Sequence, residues 1–201
     1  MVSSAGTERP VKRRRLSVED RRAELLRTCL DLLGVRPWDE VTMAEVAEAA
    51  GVSKPLLYHY FSTKTDLYRA TVVAAADELR EATRPDPDLP VGPRMRAALD
   101  AHALAYRAVI QGALSSDQVV QEEVERSRAE TIDRLAQAFG INQLTELQRI
   151  TLRGWVGFLE SASLEWLATR AVSQSQLRDL LAASAAALPQ LIDRLSSPTP
   201  H

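Results

Sequence analysis

The chain has 201 residues, of which 45% are hydrophobic and 26% charged, with only eight glycines. Those proportions exclude a fibrous or wholly disordered chain and fit one large domain or two small ones. The formal net charge of −2 divides unevenly, with 12 Lys and Arg against 10 Asp and Glu in residues 1–70 and 13 against 17 beyond, so any attraction for phosphate must come from local placement.

Residues 1–16 read as an irregular basic arm in which Lys12, Arg13, Arg14 and Arg15 stand consecutively. Such an arm suits phosphates or a minor groove, and it equally suits a solvated tail. Hydrophobic spacing is helical almost everywhere from there on, which makes the fold class all-α. Ser17 caps a first helix with the core stripe Leu25, Leu26, Cys29, Leu30 and Leu33, and Gly34 and Pro37 end it. Trp38 and Val41 pack beneath the next turn. Thr42-x-x-Glu45 has the form of a capping box and opens a short helix that closes at Gly51, a residue suited to the left-handed conformation. Ser53 caps a second short helix through Phe61, with Pro55 tolerated in its first turn. Ser62, Thr63 and Asp66 start a longer helix to about Thr83.

Prolines 85, 87, 90 and 93 with Gly92 then predict an extended connection and a domain junction. Further helices are expected at about 94–113, 118–139, 143–169 and 174–195, the last kinked at Pro189. The resulting division is an arm (1–16), a helix-turn-helix unit (17–68), a connecting helix (69–84), a linker (85–93), a helical effector and dimerisation domain (94–196) and a tail (197–201).

Two short helices about a glycine turn, with small Ala47 where they cross and Val52 and Leu57 between them, are the parts of a helix-turn-helix. Residues 53–61 are then the recognition helix, and Lys54, Tyr58, His59 and Tyr60 place one cation and three aromatic hydrogen-bonding groups where base edges and phosphates would lie. A helical hairpin with its aromatics in the core is the alternative. The run Val41-Thr42-Met43-Ala44-Glu45-Val46-Ala47, followed by Gly51-Val52-Ser53-Lys54-Pro55-Leu56-Leu57-Tyr58-His59-Tyr60-Phe61-Ser62-Thr63-Lys64-Thr65-Asp66-Leu67, resembles the TetR family of transcriptional regulators over about residues 17–70.

The resemblance implies an all-helical homodimer that binds a double-stranded DNA operator through its N-terminal domain and a small-molecule effector through its C-terminal domain. It implies phosphate contacts from Thr42, Tyr60 and Lys64, with Ser53, Lys54, Pro55, Leu56, Tyr58 and His59 on the DNA-facing surface. Lys64 also stands at a helix start, where free amides favour anions. Many members have glycine at Pro55 and histidine at Tyr60, so docking carries over while the operator sequence does not. Residues 94–116 are shorter than is usual for the family, which predicts that two normally separate helices are fused.

The helix holding Trp155, Leu159 and Trp166 is apolar nearly all round and must be covered on more than one side. Its small residues Gly154, Gly157, Ser161 and Ala168, together with Leu177, Leu181 and Leu188 of the last helix, are candidates for a two-fold interface; a monomeric core is the alternative. Met95, Leu99, His102, Tyr106, Trp155, Phe158 and Glu160 are candidates to line an apolar effector cavity, and each is equally compatible with core packing. Enzyme chemistry finds no support. The chain has no phosphate loop, no metal-ligand spacing and no cofactor motif, and Cys29 belongs to a core stripe, so neither metal nor cofactor is expected. A lone cysteine without a secretory signal points to a reducing cytoplasm, and the longest uncharged stretch, residues 180–192, is too short to span a membrane of roughly 18 apolar residues.

Overall fold

A computed structural model describes residues 17–84, 86 and 88–196; the basic arm and the tail lie outside the described residues, as do Pro85 and Pro87. Among the described residues the chain is all-helical, without strands. Helix α1 (Val18–Leu33) starts where Ser17 Oγ accepts from the Asp20 amide at 2.9 Å, and it buries all five residues of the expected stripe. A 3-10 turn (Trp38–Glu40) leads into α2 (Met43–Ala49), α3 (Lys54–Tyr60) and α4 (Lys64–Ala82). Thr63 and Asp66 form a second capping box at the start of α4. Trp38 stacks on Tyr68 with ring centroids 4.7 Å apart, and Val41 is fully buried.

The rest of the chain forms α5 (Val91–Ala101), α6 (Ala103–Gly112), α7 (Gln118–Ala138), α8 (Glu146–Thr169) and α9 (Gln174–Ser196). Three expectations change here. Gly92 and Pro93 are helical, because a proline in the first turn gives up an amide that has no intrahelical partner. Residues 94–113 are also two helices rather than one fused helix, broken at His102, whose backbone sits at φ −124° and ψ 36°. The break is held from outside the helix, since His102 Nδ1 lies 2.6 Å from Glu78 Oε1 on α4. Helix α8 begins at 146 rather than 143, where Thr145 and Gln148 make a capping box, and α9 runs on through Pro189.

Packing does not respect the proline-rich junction. Val120 and Val124 of α7 belong to the same core as Leu57, Leu67 and Val72, so the N-terminal helices rest on the C-terminal ones. A second core joins α5, α7, α8 and α9 around Leu152, Leu181 and Ala185. Between them, Leu30, Ala75, Ala105 and Ala108 bring α1, α4 and α6 together on small side chains. Gly112 is a close crossing, where an added Cβ would lie 3.3 Å from both Val72 and Val120.

Candidate nucleic-acid interface and effector region

The hairpin of α2 and α3 is fixed by its caps. Thr42 Oγ1 accepts from the Glu45 amide and donates to Glu45 Oε2, while the Thr42 amide donates to the same carboxylate at 2.8 Å. Arg36 adds a 3.0 Å bond to the other oxygen. The Thr42 hydroxyl, then the Thr42 amide and Arg36, hold the Glu45 carboxyl down at about 2, because each of them favours the charged form. Gly51 takes φ +64° at the turn, and the Val52 amide reaches back to the Ala47 carbonyl at 2.9 Å. Ser53 then caps α3 by accepting from the Leu56 amide at 3.3 Å.

Helix α3 is anchored by one side chain, the fully buried Leu57, with Phe61 buried at its end. Ser53, Lys54, Pro55, Leu56, Tyr58 and His59 are exposed, Tyr60 is half-buried, and Thr42 is exposed beside them. The aromatics divide: Phe61 is buried and Tyr60 packs against the same core, while Tyr58 and His59 face outward. Lys54 Nζ sits 6.0 Å from the Tyr58 ring, and His59 meets Tyr60 edge to face. Lys64 opens α4 as expected, and its ammonium donates to the Asp39 carbonyl at 3.2 Å and lies 4.7 Å over the Trp38 ring, which tethers it to the 3-10 turn. Arg22, not among the expected residues, lies with its guanidinium 5.2 Å over Phe61. Its proximity to α3 has no signature in the sequence beyond its charge.

This geometry is matched by two family descriptions. "Bacterial regulatory proteins, tetR family" matches residues 25–71, and "Tetracyclin repressor-like, C-terminal domain" matches residues 96–188, together well over half of the chain. The chain belongs to the TetR family of transcriptional regulators. The transcriptional activator FasR of Mycolicibacterium smegmatis is 38% identical over 91 residues, 43% of this chain and 41% of its own. The transcriptional regulator BetI of Rhizobium meliloti is 31% identical over 123 residues, 57% of this chain and 56% of its own. The matched part of the chain spans about half the length of these curated relatives. A solved tetR-family transcriptional regulator from Streptomyces coelicolor is similar with a TM-score of 0.73 at 28% identity, over 90% of this chain and 85% of that one.

In this TetR-family chain a cavity of about 110 Å³ lies among α4 to α8, and Met95, Leu99, Tyr106 and Glu160 line it. Glu160 is held by a paired contact with Arg128, at 2.7 and 2.6 Å. Tyr106 Oη pairs with Ser163 Oγ at 2.8 Å, and burial pushes its phenol well above the ordinary range. The other three candidates do not line this cavity. His102 is engaged with Glu78, Trp155 is in the α8–α9 core with its indole donating to Ser184 at 3.1 Å, and Phe158 points outward at 40% exposure.

The interface candidates also divide. Gly154, Ser161 and Ala168 are exposed and Gly157 half-buried, and an added Cβ at either glycine meets nothing within 4 Å. With Leu147, Ile150 and Phe158 they form an i, i+3, i+4 stripe on the outside of α8. Leu177, Leu181 and Leu188 are instead buried within the chain's own core, because α9 turns that stripe inward against α5 and α8. The outward stripe of α9 is Leu180, Ala183, Ala187 and Leu191. No helix among the described residues is long and apolar enough to cross a membrane.

Proposed function

We propose that the chain is a homodimeric, effector-released repressor that docks two copies of α3 in successive major grooves of an inverted-repeat operator. The observation that carries this reading is the exposure of a whole recognition helix hung on one buried leucine, with Thr42, Tyr60 and Lys64 at its flanks. Phosphates would be held by Thr42, Tyr60 and Lys64, while Lys54, Tyr58 and His59 reach base edges and Ser53, Pro55 and Leu56 fit against the sugar-phosphate wall. The outward stripes of α8 and α9 support a two-fold four-helix contact, which spaces the recognition helices by about one helical turn of DNA. Such a protein works in the cytoplasm, where its operator is.

An apolar or amphipathic effector in the C-terminal domain would displace α4, whose Leu79 and Thr83 border the cavity, and so change the spacing of the two α3 helices. Release requires only that the ligand prefer the wrongly spaced state by about 1 to 3 kcal/mol. Repression follows from occupancy, since a dimer across a promoter obstructs polymerase.

Selection of bound duplexes from a random pool, with a Tyr58→Ala, Lys64→Ala double variant alongside, tests the reading. A palindrome recovered by the wild type alone supports it, and salt-sensitive binding without sequence preference overturns it. A promoter–reporter fusion carrying the recovered site reads the sign: stimulation rather than silencing would make the chain an activator, as FasR is named.

A further inference from the structure

A second, larger hollow of about 380 Å³ lies behind the first, between the end of α1, α6, the end of α8 and the start of α9. Its volume falls in the roughly 300–1,000 Å³ range of small-molecule sites, whereas the cavity among α4 to α8 falls below it. Leu99, Tyr106 and Ile110 line both, so they form the partition between two chambers.

The second chamber has an unusual charge pattern. Its lining holds Arg107, Arg170 and Arg178 and no carboxylate. Arg178 is paired outside with Asp100 at 2.8 Å, but neither Arg107 nor Arg170 has a carboxylate partner among the described residues. Arg107 donates to the Gly34 carbonyl, and its Nε is buried with no hydrogen-bond partner. Arg170 is held 3.9 Å over the Trp166 ring by a left-handed backbone, φ +50°. Burial and then the charge of Arg170 make the Arg107 guanidinium easier to deprotonate than usual. A buried donor left unmade is costly, and the exposed Arg170 at the rim sets a second positive charge against Arg107; a bound anion relieves both.

We infer that this chamber is an anion-binding subsite that takes the carboxylate head of an amphipathic effector between Arg107 and Arg170. Leu104, Leu167, Leu177 and Leu181 supply walls for its apolar body. The inference deepens the effector reading and rests on it. It also adds a direct line to the DNA-binding domain. Gly34 caps α1, and an added Cβ there would overlap Leu104, so α6 is pressed against the end of α1. A carboxylate taken by the free Nε of Arg107 pulls on the same guanidinium whose Nη1 holds the Gly34 carbonyl, and ligand occupancy thereby loads the seat of α1.

The test uses the full-length dimer, titrated by calorimetry and tryptophan fluorescence with decanoate and 4-phenylbutyrate, with the matching alcohols 1-decanol and 4-phenylbutanol, and with acetate. The carboxylates are expected to bind about ten- to a hundredfold more tightly than the alcohols, as a charge-assisted clamp requires. R107Q and R170Q should each remove most of that preference by weakening the carboxylates far more than the alcohols, R107K should restore part of it, and acetate alone should not compete. Equal affinity for acids and alcohols, or a preference that survives both substitutions, overturns the subsite and leaves an apolar effector standing. Binding of none of these compounds also overturns the subsite, and a compound screen for operator release then decides the effector reading separately.

Discussion

The α2–α3 hairpin and the α5–α9 bundle are both helical, yet they are specified in different ways. Each end of the hairpin is set by a side chain within three residues of the backbone group it satisfies: Thr42 with Glu45, Ser53 with Leu56, Thr63 with Asp66. The bundle also has local caps, at Asp117 and Thr145, but its packing adds partners far apart in the chain, such as Glu78 with His102, Arg128 with Glu160 and Tyr106 with Ser163. A surface that must meet an unchanging duplex is built locally and rigidly. The region proposed to take the ligand is held by contacts between residues distant in the chain.

The sharpest way to break that contrast is at the buried leucine of α3. Leu57→Ala should destabilise the protein by about 2 to 5 kcal/mol, as a fully buried leucine removed from a tight core does. Urea unfolding at fixed protein concentration measures it. A loss under 1 kcal/mol would mean that α3 is not hung on Leu57.

A comparable effect is expected on the bundle side with the fold left intact. Phe158→Glu on the outward stripe of α8 should weaken dimerisation by about 2 to 3 kcal/mol, roughly a hundredfold, because it puts an unpaired charge into an apolar contact. Sedimentation across a dilution series reads it, and an unchanged dimer would move the interface elsewhere.

How legible each region was in the sequence follows from the same contrast. Every cap of the first four helices stands in a short pattern, so Ser17, Thr42, Ser53 and Thr63 marked their helix starts correctly. The break at His102 had no local mark: the run from Asp100 to Ala103 holds neither glycine nor proline, and the contact that holds it comes from Glu78 on another helix. Periodicity identified Leu177, Leu181 and Leu188 as one stripe, but α9 carries two apolar stripes and only packing shows which faces inward. Arg107 and Arg170 stand far apart in the chain and meet only because α6 crosses the end of α8.

Within the interface, the division between base reading and phosphate holding gives smaller effects. Tyr58→Ala should cost about 1 to 3 kcal/mol of discrimination at the base step it faces, whereas Lys64→Ala should weaken all sequences alike and lower the salt slope by about one. Binding isotherms for operator and scrambled duplex at several salt concentrations separate the two, and equal losses of specificity in both variants would contradict the assignment.

The smallest effect belongs to the capping box. The folded state holds Glu45 at about 2, below the ordinary carboxylate value, so its contribution is complete above the unfolded pKa and fades as pH falls toward 2. Glu45→Gln should flatten that part of the stability profile between about pH 5 and 2 in thermal melts. An unaltered acid limb would show that other carboxylates dominate it.

Helix α4 has one further consequence, mechanical in kind. Its 19 residues span about 28 Å, and Val72, locked against Gly112, lies about 12 Å from Lys64 and about 15 Å from Ala82. That crossing leaves little room for sliding, so a displaced α4 would turn about it as a seesaw with nearly equal arms. On the proposed reading, a push on Leu79 at the cavity would be delivered at the DNA end at similar amplitude with its direction reversed, and a ligand too small to span the molecule would still reposition both recognition helices.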